Sequence, residues 1–145
     1  SACALEIGIH PDLRGIGLSS RLVAGLRHAA ASAGLDRLVA PVRPSGKHLE
    51  PHEPMSSYVA RRREDGLLHD PWLRVHERAG ARVDRIAEQS MVIVAPLDDW
   101  RGWTGLPFTG DEQLVEQALV PVTIDQRSQL GIYVEPNVWM IHELA

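Results

Sequence analysis

An arginine followed by two spaced glycines, Arg14-Gly15-Ile16-Gly17, carries the clearest chemical signal in this sequence of 145 residues. Glycine has no Cβ to hold a bulky anion away from the backbone. The guanidinium adds a full positive charge beside it. Where a helix opens directly after such a loop, its unpaired N–H groups and the positive end of its dipole face the same point. Together these groups hold a diphosphate, which points to an acyl-coenzyme A or nucleotide ligand. A tight strand-to-helix turn with a solvated arginine uses the same glycines, and on the glycines alone both readings stand. The dinucleotide fingerprint G-x-G-x-x-G is not met, because Ser20 occupies the third glycine position, and no Gly-Lys-Ser/Thr follows to make a P-loop.

The flanking elements are the ones this loop needs. In residues 3–9, CALEIGI, Leu5, Ile7 and Ile9 alternate with Glu6 and Gly8, the period of a half-buried strand. Pro11 ends it by lacking an N–H. Leu18, Leu22, Val23, Leu26, Ala30 and Ala33 recur at spacings of three and four, an apolar helical face that stops at Gly34. Residues 35–42, LDRLVAPV, read as the next parallel strand, reached by the helical crossover that parallel pairing requires. Cys3 shares the apolar strand face and reads as a small buried hydrophobe rather than a nucleophile.

Residues 6–23, EIGIHPDLRGIGLSSRLV, resemble the acyl-CoA-binding core of the GNAT superfamily of N-acyltransferases. The family pattern is Arg or Gln, two residues, Gly, any residue, then Gly or Ala; here Ser19 takes the last place. Residues 72–83, WLRVHERAGARV, are similar to the family's last core helix, and residues 82–86 and 89–95 suit its closing hairpin. The similarity covers residues 3–95, with an insertion at 43–71. It implies an α/β fold: a partial GNAT-type mixed sheet with a strand-loop-helix acyl-CoA site, here with a small C-terminal β extension over residues 96–145 that packs on the core or on a partner subunit.

The resemblance also implies chemistry. An acetyl group would pass from acetyl-CoA to a primary amine of a small molecule or peptide. Ile7, Gly8 and Ile9 would meet the pantetheine arm, and Arg14, Gly15, Ile16, Gly17, Leu18 and Ser19 the diphosphate. Glu6 matches a position where many members carry a base, acting directly or through water; the alternative is an exposed strand carboxylate. His76 stands where a tyrosine general acid is usual, and the alternative is an ordinary helix-surface histidine. Three strands and two helices precede the cofactor strand in the family, and none precedes it here. That implies a truncated domain, an N-terminal half on another chain, or a long C-terminal tail filling its place, and a sheet cut on one side favours a homodimer that covers the exposed face.

Composition adds limits. The formal net charge is −4 at pH 7, which offers neither a nucleic-acid footprint nor a polybasic membrane patch. Arg61, Arg62 and Arg63 are followed at once by Glu64 and Asp65, as on a solvated face. No apolar run is long enough to span a bilayer, and the one cysteine suits a reducing cytoplasm. In the insertion, His48, Glu50, His52 and Glu53 lie in a proline-broken loop without the spacing of a zinc site, so no metal is expected. The loop suits a position near the acyl or acceptor pocket, with a helix over 55–64 bringing Tyr58 towards it. Beyond Pro96, Trp100, Trp103 and Phe108 suit core or dimer contacts. Strands are expected at 118–124, 131–134 and 138–144, with a turn at Glu135-Pro136-Asn137. Two functions of different class fit all of this: an N-acetyltransferase, and a CoA-binding or interaction module without turnover.

Overall fold

The computed structural model describes residues 1–144. Its strands are β1 (Ala2–Cys3), β2 (Arg37–Val42), β3 (Ala81–Pro96), β4 (Glu112–Gln113), β5 (Val122–Asp125) and β6 (Leu130–Glu143). Its helices are α1 (Leu18–Ser32), α2 (Met55–Ala60), α3 (Pro71–Arg78) and α4 (Leu97–Thr104). One mixed sheet joins all six strands in the order β1-β2-β6-β5-β4, and β3 pairs with the other side of β6. Only β1 and β2 run parallel; every other pairing is antiparallel.

The long strand β6 organises the sheet. Val138 to Glu143 pair with β2, Leu130 to Ile132 pair with β5, and β3 follows the whole opposite side. The stretch read as a C-terminal extension therefore supplies the central strand of the sheet. Two clusters cover its two ends. Val138, Met140, Ala40 and Val42 pack with Met55, Tyr58, Leu68 and Leu73 at one end. Tyr133, Val122 and Ile124 pack with Leu97, Trp100 and Phe108 at the other.

Several expected boundaries change, each for a stated reason. The turn at Glu135-Pro136-Asn137 is unbroken strand. Pro136 falls opposite a register break in β3, where Ala87 faces Asn137 and Met91 faces Glu135, so its missing N–H interrupts no rung. The expected hairpin at 82–95 is one bulged strand for the same reason. The expected strand at 118–124 begins only at Val122, and the expected helix at 55–64 stops at Ala60. The helix expected over 72–83 ends at Arg78 because Gly80 turns the chain with φ +87°, and Ala81 already pairs with His142. Cys3 is exposed rather than buried, since β1 is an edge strand of two residues. Trp100 and Phe108 are core residues, whereas Trp103 is exposed.

Two terminations place the cleft described below. Helix α1 closes in a Schellman turn: the Leu35 N–H donates to the Ala30 carbonyl, and Gly34, at φ +72°, donates to Ala31. Helix α3 begins at Asp70, whose buried carboxylate accepts from the N–H groups of Trp72, Leu73, Ser45 and Gly46 and from the Tyr58 hydroxyl at 2.8 Å. That one side chain caps α3, anchors α2 and closes the loop after β2. Replacing Asp70 by Ala leaves those donors buried and unpaired. We expect a loss of roughly 3–5 kcal/mol in urea unfolding, against about 1 kcal/mol for Tyr58→Phe. An Asp70→Ala protein within 1 kcal/mol of the parent would refute the anchoring role.

Candidate active site

The site begins where the sheet opens. The Ala4 N–H donates to the Val39 carbonyl at 2.8 Å, the last rung between β1 and β2. Within a strand, main-chain groups alternate sides, so residue 41 faces β1 as Val39 does. Residue 41 is proline and has no N–H for the next rung, which would end on the Ala4 carbonyl. The expected strand over 3–9 therefore loses its ladder after the Ala4 N–H. Among the described residues, none pairs with the backbone of Leu5, Glu6, Ile7, Gly8 or Ile9. Leu5, placed on the apolar face by its spacing, is 85 % exposed as a result.

A cavity of about 360 Å³ fills the wedge, with Ala4, Glu6, Ile7, Pro41, Trp72 and His76 among its walls. A second, of about 680 Å³, adjoins it and shares Ile7, Arg43 and Trp72. Its walls include Ile9, Arg14, Gly15, Gly17, Leu18 and Ser19. The structure thus gathers Ile7, Ile9 and most of the glycine loop on one cleft, with Glu6 and His76 together in the adjoining chamber. Gly8 and Ile16 line neither cavity, and Ile16 is exposed. Gly15 and Gly17 have φ of +80° and +81°, and a Cβ on either would meet nothing within 4 Å. Backbone conformation, not crowding, requires glycine there, and the surrounding space is left open. Gly17 is the N-cap of α1, so the first turn of that helix opens at this loop.

His76 is not a surface residue. It is 3 % exposed, and its Nδ1 lies 3.0 Å from Nε2 of His142, which is fully buried on β6. Nδ1 of His142 lies 3.0 Å from Nη1 of Arg27 on α1. Burial, aided by the neighbouring His142, lowers the His76 pKa to about 4. Burial and the positive Arg27 lower that of His142 as well. The imidazolium form of His76, which a general acid would need, is therefore absent at neutral pH.

Arg43, on the wall shared by both cavities, is held by Glu135. Its Nε donates to Oε1 at 3.0 Å and its Nη2 to Oε2 at 3.1 Å, with a further bond to the Gln117 carbonyl. Tyr133 also donates to Glu135, and burial with that carboxylate raises its pKa to about 12. The remaining insertion residues serve structure. Lys47 is fully buried and donates to the Glu50 and Leu119 carbonyls. Glu50 pairs with Arg61 and His52 with Glu112. No group of three or more metal-ligating side chains occurs among the described residues. Tyr58 is a core residue bound to Asp70, not a pocket residue. Sequence reasoning missed Arg43, Trp72, Arg27 and His142. Only His142, a histidine within the apolar run VWMIHEL, left a visible signal.

No protein-family profile matches the chain. Over 160 aligned residues it is 37 % identical to the arginine N-acetyltransferase avaD of Aspergillus versicolor, covering 97 % of this chain and 55 % of that protein. Among solved structures it is similar to the loading GNATL domain of CurA from Lyngbya majuscula, with a TM-score of 0.59 and 21 % identity. That match covers 98 % of this chain and 54 % of that one. The chain thus spans about half the length of the curated relative it matches. The structural likeness establishes the fold.

Two outcomes follow from the geometry. Pro41→Ala restores the missing donor, so the β1–β2 ladder should lengthen and the wedge narrow. We expect slower amide hydrogen exchange at Glu6, whose N–H would gain the carbonyl of residue 41; unchanged exchange would mean that the proline is not what opens the sheet. The second outcome concerns pH. The unfolded chain binds a proton at His76 near pH 6.5, whereas the folded chain refuses it until about pH 4. Stability present above pH 6.5 is therefore lost as pH falls through that window, at up to about 1.4 kcal/mol per pH unit. Urea midpoints at pH 7.5 and 5.5 should show this fall, and His76→Gln should reduce it.

Proposed function

We propose that this chain, similar in sequence to an N-acetyltransferase and in fold to a GNAT-like domain, is a member of the GNAT superfamily of acyl-CoA-dependent N-acyltransferases and transfers an acetyl group from acetyl-CoA to the amine of a small molecule. One observation carries this reading: the glycine loop and the pair Glu6 and His76 lie on adjoining cavities that share Ile7, Arg43 and Trp72. In this reading Arg14, Gly15, Gly17 and Ser19 hold the diphosphate at the α1 N-terminus. The unpaired backbone of residues 5–9 offers hydrogen bonds to the amides of the pantetheine arm. The thioester then reaches the chamber that holds Glu6.

The transfer balances as follows. The amine nitrogen attacks the thioester carbonyl carbon, a C–N bond forms, and the amine's proton passes to Glu6, directly or through water. The C–S bond breaks and its electron pair leaves on sulfur, which takes a proton from solvent. His76, neutral at the working pH, serves as a hydrogen-bond donor to the developing negative charge rather than as a proton source. Arginine, the acceptor in the name of the relative, is the first amine to test. The exposed, unpaired Cys3 and the use of acetyl-CoA both suit a reducing cytoplasm.

A binding module without turnover shares the same loop. Calorimetry and kinetics separate the two. We expect micromolar acetyl-CoA binding that Gly17→Trp abolishes, with CoA released when an amine is added. Glu6→Gln should keep the affinity and lower kcat by roughly a hundredfold. Binding with no CoA release across an amine panel would favour the module. A folded protein that binds no acetyl-CoA would overturn both.

A further inference from the structure

His76 and His142 are the only two buried histidines among the described residues, and they touch each other. Their protons are not free to choose. A guanidinium donates and never accepts, so the 3.0 Å contact from Arg27 Nη1 requires an unprotonated Nδ1 on His142. Neutral His142 then carries its proton on Nε2 and donates it to His76 Nδ1 at 3.0 Å. Neutral His76 in turn carries its proton on Nε2. The Nε2 atom has no protein partner, yet the one sealed, unpartnered side-chain polar atom among the described residues is His48 Nδ1. Nε2 of His76 therefore opens on the cavity that His76 lines together with Glu6.

We propose that Arg27 and His142 are positioning residues that lock His76 in the Nε2–H tautomer, so that it presents a fixed hydrogen-bond donor to the acyl-transfer chamber. The three side chains come from three elements, α1, β6 and α3, so the lock depends on the packed fold. Arg27 is itself steadied, its Nη2 reaching the Glu143 carbonyl at 3.4 Å. The lock also forbids base chemistry at His76. A second proton could enter only at Nδ1, where His142 already donates. Low affinity of His76 for that proton agrees with this geometry. The assignment leaves Glu6 as the one carboxylate among the described residues of the chamber wall, and so the group there to take the amine's proton. The role in transfer rests on the proposed acetyltransferase activity; the tautomer does not.

Long-range proton–nitrogen correlation spectra of the ¹⁵N-labelled chain at pH 7 read the tautomers directly, because protonated and bare ring nitrogens resonate far apart. His76 and His142 should both show a protonated Nε2 and a bare Nδ1, with His142→Gln spectra assigning the pair. A protonated Nδ1 on His76, or an imidazolium there, would overturn the proposal. In Arg27→Met, which keeps the aliphatic stem, both His142 tautomers should become populated. With acetyl-CoA and an accepting amine, its kcat should fall roughly tenfold or more while the KM for acetyl-CoA holds, and Arg27→Lys should recover part of the loss. An unchanged kcat in Arg27→Met with a scrambled tautomer would overturn the positioning role. A locked tautomer in a chain that acetylates no amine would count against the transferase reading and leave the proton assignment in place.

Discussion

The cleft depends on a carboxylate that never touches it. Asp70 is buried, and a buried charge is tolerated only when its hydrogen-bonding capacity is filled. Five donors from three segments do this: two from the loop after β2, one from α2 and two from the first turn of α3. The loop carries Arg43 and Ser45 to the cleft wall, and α3 carries Trp72 and His76. Gly46 shows how tightly the hub is built, since a Cβ there would stand 2.7 Å from the Tyr58 hydroxyl. Wall residues from two separate segments are thus positioned by one side chain outside the cleft.

Prolines decide where the sheet stops and where it continues. Pro41 faces the edge strand and removes a rung, and the two parallel strands part around a cavity. Pro136 faces a bulge and the gap between β2 and β5, so β6 runs on unbroken. The same missing N–H has opposite consequences because its partner differs. The freed backbone of residues 5–9 is what this opening provides. Unpaired peptide groups beside a cavity are costly unless solvent or a ligand meets them, and an amide-bearing arm is a natural partner.

The sequence was legible where local rules suffice. The glycine loop, α1 with its Gly34 stop, and β2 follow from spacing and caps, and all three are where the pattern placed them. The resemblance that named the fold rested on the same residues. The rest required partners distant in sequence. Glu135-Pro136-Asn137 has turn composition but lies in a strand, because the bulge that tolerates Pro136 is about fifty residues earlier. Leu5, Ile7 and Ile9 alternate as a strand should, yet the proline that ends their ladder lies on the neighbouring strand. His76 has the sequence context of a helix surface; its burial comes from β6, sixty-six residues away. Arg43 carries no periodic or motif signal at all, and Trp72 stands in the helix motif at 72–83 with nothing there to mark it as a cavity wall.

Charge along the cleft separates its two tasks. Arg43 is near the middle but spent, since Glu135 takes it bidentately and the Gln117 carbonyl takes what remains. Arg14, at the glycine loop, has no ionic partner among the described residues, and the α1 N-terminus opens beside it. The unneutralised positive field therefore lies at the loop end, where an anion would be held. At the other end the chamber holds one carboxylate and a histidine that burial keeps uncharged. A cation there would oppose the approach of a protonated amine. A neutral His76 does not, and the positive Arg27 stands behind His142, outside the chamber wall. On the proposed reading, binding of the anion and removal of the proton therefore draw on opposite ends of the cleft.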